Sequence, residues 1–244
     1  METDQQIPVA LIYSAANSIG QSVATTLQHK GIQVALYDPD NPEPIEQVIS
    51  RLPQPGLALN VADCKPGEKV TDSQVFEAVS KQAGRLDFLI NLCPIDNPQW
   101  REWVPGYELK LYERNLSAGK IISKASDAGR IINLFFLATL FEHADIRGHI
   151  SIARAAIQGL TRHLAVTFGS ANLCINSIQV GMLNCPELEH LYHAAISEVQ
   201  ELEAFTVLPQ DIADCMAFLA LEGSYITGRT MIMDRGLTTG LTGV

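Results

Sequence analysis

The chain has 244 residues, 47% hydrophobic and 18% charged, which is apolar enough to bury a sizeable core and excludes a disordered polymer. Seventeen Lys+Arg against 27 Asp+Glu give a net charge of −10, so attraction to nucleic acid or to an anionic membrane is not its business. The five cysteines are scattered without CxxC spacing and read as reduced intracellular thiols, with no zinc or other metal site implied.

Strand-like and helix-like segments alternate along the chain. Val9–Tyr13 is a short apolar run with β-branched and aromatic members. Residues 19–29 follow with helical spacing of Ile19, Val23 and Leu27, and Gly31 supplies a stop. Ile32–Tyr37 is a second strand, closed by Asp38-Pro39, and Leu57–Val61 a third. The proline-rich stretch from Pro39 to Pro55 between them reads as surface connection. Thr71 caps a helix to Ala83 with Val75, Phe76 and Val79 on one side. Leu86–Leu92 is a fourth strand, Tyr107–Ala125 a helix, Arg130–Phe136 a fifth strand and Ser151–Gly169 a long helix. Asn172–Val180 is a sixth strand, Pro186–Phe205 and Pro209–Leu221 read as helices, and Thr230–Asp234 is the last strand.

The strands are continuously apolar, which suits burial on both faces, and their alternation with helices predicts a parallel sheet wrapped on both sides. With no linker and no repeat, residues 1–244 read as one doubly wound α/β domain of three layers. Met1–Pro8 lacks the basic and apolar regions of a signal peptide. The most apolar stretch, Ile131–Phe141, is interrupted by Asn133 and Thr139 and falls short of the ~20 residues that span a bilayer. A soluble cytoplasmic protein is expected.

In such sheets ligands sit at the carboxyl ends of the strands, where the strand order reverses. The first strand-to-helix turn is Tyr13-Ser14-Ala15-Ala16-Asn17-Ser18-Ile19-Gly20. A dinucleotide site wants glycines here, so that backbone can approach the pyrophosphate at the helix N-terminus. Only Gly20 is one, and side chains at Ser14 and Ser18 narrow the approach and disfavour positive φ. The residue-level alternatives are a phosphate cradle using the serine hydroxyls or a tight turn with an N-capping serine. Asp38, 18 residues after Gly20, stands where an acidic side chain accepts from adenosine ribose hydroxyls and repels a 2′-phosphate; the other reading is an Asp-Pro turn.

At this point the chain resembles the short-chain dehydrogenase/reductase family over nearly its whole length. Tyr13–Gly20 resembles the family's Thr-Gly-x-x-x-Gly-x-Gly turn, Asn60-Val61 its Asp-Val pair, and Asn91-Leu92-Cys93-Pro94 its Asn-Asn-Ala-Gly. Asn115 matches its helix asparagine, Gly129–Leu134 its fifth strand, and residues 153–165 its catalytic helix. Asn176-Ser177-Ile178 with Gly181, and Tyr225–Gly228 with Met233–Gly236, resemble its later signatures. The resemblance implies a Rossmann-like fold. It makes Ser14, Asn17, Ser18, Ile19, Gly20, Asp38, Asn60, Val61, Asn91 and Arg154 the candidate cofactor-binding residues, with NAD(H) favoured over NADP(H) by Asp38.

The family's catalytic set does not carry over. Aligning the helix puts Ile150 at the tyrosine and Arg154 at the lysine of Tyr-x-x-x-Lys, Phe136 or its neighbours at the serine, and Cys185 at the threonine that meets the carboxamide. Asn115 alone is kept. Isoleucine has no exchangeable proton, and losing the proton donor typically costs ~10²–10⁴ in rate. His149, one residue away, is the candidate replacement acid; Glu142, His143 and Asp145 precede it. Arg154 cannot act as a base but can hold a phosphate, a carboxylate or a ribose hydroxyl. His190, Tyr192 and His193 receive no role and read as solvated helix faces.

The candidate catalytic residues are therefore Asn115, His149 and Arg154. Three functions follow as expectations: a catalytically silent member that binds a nucleotide, another small molecule or no cofactor; a subunit paired with an active homologue; and an NAD(H)-dependent carbonyl reductase using His149. The resemblance also implies a homodimer or homotetramer. The segment from Asn115 to Gly129 is shorter than the family's by several residues, so the expected oligomer is altered or hetero-oligomeric.

Overall fold

The computed structural model describes residues 7–39, 42–55, 58–60, 70–93, 106–136, 144–189, 193 and 200–240. Seven strands form one parallel sheet: β1 Val9–Tyr13, β2 Gln33–Tyr37, β3 Ala58–Asn60, β4 Phe88–Asn91, β5 Arg130–Phe136, β6 Cys174–Val180 and β7 Thr230–Met233. Their order across the sheet is β3-β2-β1-β4-β5-β6-β7, so the order reverses between β1 and β4. The doubly wound Rossmann-like reading holds, and its reason is visible strand by strand. In β1, Ala10 and Ile12 face one helical layer while Val9, Leu11 and Tyr13 face the other, and all five are fully buried. A strand with no solvent face needs no alternation.

One layer holds α1 (Ser18–His29), α2 (Pro42–Ser50) and the later helix Pro209–Leu221; the other holds α3 (Asp72–Ala83), α4 (Tyr107–Ala125) and α5 (Ala144–Thr167). We number Pro209–Leu221 as α6, and a short α7 spans Leu237–Gly240. Thr71 caps α3 in a reciprocal pair with Gln74, as its position predicted. Gly31 and Gly84 adopt positive φ after α1 and α3.

Beyond shifts of one or two residues at other ends, four stretches differ from the sequence reading. The stretch read as connection between Pro39 and Pro55 contains α2, whose Ile45 and Val48 are buried in the core; its two prolines, Pro42 and Pro44, hid the periodicity of its apolar face. Helix α5 begins at Ala144 instead of Ser151. The sixth strand begins at Cys174, because Asn172 turns through a left-handed conformation at the end of a 3₁₀ turn, Gly169–Ala171. At the two ends of 186–205, read as helix, the described residues form 3₁₀ turns, Pro186–Leu188 and Gln200–Phe205. Among the described residues no helix is long and apolar enough to cross a membrane, and no metal-ligating cluster occurs.

Candidate cofactor corner and active site

The turn from β1 into α1 lies at the reversal of strand order, where the sequence placed it. Gly20 is required there: a Cβ at this position would stand 2.2 Å from the carbonyl oxygen of Ala15. Ser14, in place of the family's first glycine, takes a φ of +54°, a left-handed conformation that costs a side-chain-bearing residue roughly 1–2 kcal/mol. Asn17 holds the turn from within. Its Nδ2 donates to the Ser14 carbonyl (2.9 Å), and its Oδ1 accepts from the Gly20 N–H (3.0 Å) as the N-cap of α1. Ile19 is fully buried and anchors the helix start in the core.

Two carboxylates close this corner. Asp38, just past β2 and buried, accepts from the Ala16 N–H at 3.1 Å. Glu187, from the 3₁₀ turn after β6, accepts from the Ser18 N–H through one oxygen and from the Ser18 hydroxyl through the other, each at 2.6 Å. Sequence reasoning had no access to Glu187, since 169 residues separate it from Ser18. Its neighbour Cys185 is buried, and burial together with the Glu187 charge pushes its thiol up to about 12, so it stays protonated and unreactive.

The residues fit a dinucleotide in part. Asp38 and the close approach at Gly20 suit an adenosine end. The pyrophosphate end does not fit, because the donors of Ser18 already serve a carboxylate.

On the α3–α4–α5 side, the strand register aligns a polar row across the sheet: Tyr37, Tyr13, Asn91, Asn133, Ser177 and Thr230. Asn91 Nδ2 donates to Oδ1 of both Asn115 (2.7 Å) and Asn133 (2.8 Å), and Asn115 Nδ2 donates to Asn133 Oδ1 (3.0 Å). All three asparagines are fully buried, and Asn133 Nδ2 finds no acceptor among the described residues. Ser177 and Thr230 share a hydrogen bond of 2.7 Å. Thus the structure brings together Asn91 and Asn115, both expected, through Asn133, which was read only as part of a strand.

This row connects to the corner through groups the sequence reading missed. Arg114 lies 3.9 Å over the Tyr13 ring, donates to Asp72 Oδ2 at 3.2 Å and reaches Asn91 Oδ1 at 3.5 Å. The Tyr13 hydroxyl donates to Asp72 Oδ1 at 2.8 Å. Burial raises the Tyr13 phenol far above its ordinary range; Arg114 opposes the shift and Asp72 adds to it. No sequence signal joins these three residues, since Asp72 lies 59 residues from Tyr13 and 42 from Arg114; the packing of α3 against α4 brings them together.

Toward α5, Phe136 ends β5 half-buried against the apolar core. Arg154 is half-buried on α5 and forms no hydrogen bond or ion pair with another described residue. One turn later Gln158 donates to Gln179 Oε1 at 3.4 Å, and Gln179 Nε2, buried, has no partner among the described residues. Cys93 follows β4, and burial pushes its thiol up to about 12. Val61, Glu142, His143, His190 and Tyr192 lie outside the described residues, as do the side chains of Asn60, Asp145, His149 and Ile150. His193 is exposed, 3.6 Å from Glu189.

With this geometry in hand, likeness to known proteins becomes informative. A family model described as enoyl-(acyl carrier protein) reductase matches residues 14–238. The chain belongs to the short-chain dehydrogenase/reductase family. The 1-cyclohexenylcarbonyl-CoA reductase of Streptomyces collinus is 26% identical, over 97% of this chain and 89% of that protein. The 7alpha-hydroxysteroid dehydrogenase of Bacteroides fragilis is 24% identical, over 94% of each. Among solved structures, levodione reductase shares the fold with a TM-score of 0.75 at 22% identity, covering 96% of this chain and 98% of that one. The 3-ketoacyl-(acyl-carrier-protein) reductase of Brucella melitensis, complexed with NADH, does so with 0.73 at 17% identity, covering 94% and 97%.

Proposed function

We propose that residues 1–244 form a single short-chain dehydrogenase/reductase domain, in the cytoplasm, that has lost the family's proton-transfer chemistry. It serves as a small-molecule-binding member without reductase turnover, or as the silent subunit of an assembly with an active homologue. The observation that carries this reading is the pair on α5: isoleucine at 150 and arginine at 154, one helical turn apart, where the family has tyrosine and lysine. Neither can deliver or accept a proton at neutral pH. Phe136 at the end of β5 supports it, because a phenyl ring cannot orient a carbonyl. Arg154, half-buried, suits the carboxylate or phosphate of a bound molecule. Asp38 suits NAD(H) over NADP(H), which is the cofactor chemistry the adenosine end would take.

The test is turnover of NADH or NADPH with a panel of ketones and aldehydes. Wild type should run ~10²–10⁴ below an ordinary member of the family, and Ile150→Tyr/Arg154→Lys should recover part of the loss. Ordinary turnover by wild type would sink the reading.

A second reading has support from the relatives, which are named as reductases and dehydrogenases. Here His149, beside Ile150, donates the proton and the chain is an active NAD(H)-dependent carbonyl reductase. His149→Ala then abolishes turnover. A homodimer or homotetramer is part of the proposal, supported by apolar side chains exposed on α5, Ile152 at 65% and Val166 at 84%. Co-purification of a different chain from native extract favours the hetero-oligomer instead.

A further inference from the structure

The geometry points to Glu187 as a built-in occupant of the phosphate corner, a specificity-determining residue that keeps a dinucleotide's pyrophosphate off the start of α1. This inference rests on the family assignment of the β1–α1 turn, and the misfit described above is its starting point.

The contact has the form an anion would make. Both carboxylate oxygens bind one residue, the backbone N–H and the hydroxyl of Ser18, at 2.6 Å each. Charge-assisted bonds of this length at the positive end of a twelve-residue helix are strong ones. They use the donors that would otherwise meet a phosphate oxygen.

The carboxylate is also held in place from behind. Cys185 is buried and Leu188 packs against the core on either side of Glu187. The loop is pinned further back: Asn184 N–H donates to the Val207 carbonyl at 3.0 Å, and Val207 N–H to the Met182 carbonyl at 2.7 Å. An internal group delivered by an anchored loop sacrifices no translational freedom when it binds, whereas an incoming dinucleotide does. Glu187 therefore competes at a high effective concentration.

The remaining groups of the turn reinforce the exclusion. The Gly20 N–H is taken by Asn17 and the Ala16 N–H by Asp38. Two carboxylates at one corner repel a pyrophosphate, which arrives with charge of the same sign. A nucleoside without phosphate meets Asp38 and does not meet Glu187.

The discriminating experiment is calorimetric titration of the wild type, Glu187→Ala and Glu187→Gln with NADH and, separately, with adenosine, alongside thermal melts. Glu187→Ala should bind NADH at least tenfold more tightly than the wild type. Glu187→Gln, which removes the charge but not the bulk, should fall between them, and it carries the test if the alanine variant melts early. Adenosine affinity should be the same in all three chains. Unchanged NADH affinity in a variant with wild-type melting overturns the inference, as does an equal gain for adenosine. Binding of neither ligand to any chain overturns the assignment of the corner and the inference with it. None of these outcomes bears on proton transfer, which the turnover of Ile150→Tyr/Arg154→Lys tests separately when it is read at saturating NADH in the Glu187→Ala background.

Discussion

Two polar regions meet the carboxyl ends of the strands, and they differ in how their hydrogen-bonding groups are used. At the β1–α1 turn the donors of Ala16, Ser18 and Gly20 are each taken by an oxygen of the chain itself. In the row beneath α4 and α5, by contrast, donors are left over: Asn133 Nδ2 and Gln179 Nε2 are buried without an acceptor among the described residues, and Arg154 has no partner there. A buried donor without an acceptor costs ~1–3 kcal/mol, and a site keeps one when something else uses it. The comparison separates a corner closed to anions from a row that still offers donors to a ligand oxygen.

The severest way to break the corner is Gly20→Ala. The new methyl would press on backbone, the Ala15 carbonyl oxygen at 2.2 Å, which cannot swing aside. A loss of about 3 kcal/mol is expected from overpacking, read as a lowered midpoint in denaturant unfolding. A neutral effect would mean that the turn is looser than described and that Glu187 closes no fixed site.

The row breaks at its centre. Asn133 Oδ1 accepts from both Asn91 and Asn115, so Asn133→Leu leaves two buried amides short of an acceptor. About 2 kcal/mol of stability should go, less than two full penalties because Asn91 still bonds Asn115. If Asn133→Leu is instead stabilising, the row is structural filler and the contrast with the corner falls.

Tyr13 links the two regions, and its replacement sharpens the comparison. Tyr13→Phe keeps the ring beneath Arg114 but deletes the bond to Asp72, at a cost of about 1 kcal/mol near neutral pH. Its alkaline signature is more telling. The folded phenol is held above the ordinary value of about 10, so in that range the unfolded chain ionises first. Stability from this group is complete below that value and is lost as pH rises above it. Tyr13→Phe should flatten the alkaline arm of the stability–pH curve; an unchanged arm would assign the slope to another group.

How much of this could be read from the residues alone follows from the range of the contacts. The sheet was legible because each strand declares itself by a local apolar run; Asp38 and Asn91 are fixed by their place at strand ends, and Gly20 and Asn115 by their place on the helices that follow β1 and β4. Helix α2 was obscured by Pro42 and Pro44, which fit a first helical turn but look like loop residues. Glu187 was invisible because its partner is distant in sequence and a single glutamate after a proline carries no pattern. Arg114 and Asp72 are similarly distant, 42 residues apart, and joined only by helix packing. Ser14 was read as an obstacle to positive φ, yet it adopts it, because Asn17 holds its carbonyl and Tyr13 fixes the strand end beneath it.

That last position gives the smallest and most selective test. Ser14→Gly relieves a left-handed backbone but adds freedom to the unfolded chain, so the two terms nearly offset and a gain of about 0.5 kcal/mol is expected. Its value lies in what it should leave alone. The family's first glycine would be restored while Glu187 keeps its hold on Ser18, so NADH affinity should stay at the wild-type level. Combined with Glu187→Ala, the same change should add to the gain, since the backbone can then close on a phosphate. If Ser14→Gly alone opened the corner to NADH, the missing glycine rather than the carboxylate would be what excludes the dinucleotide, and the contrast between a closed corner and an open row would rest on backbone shape instead of charge.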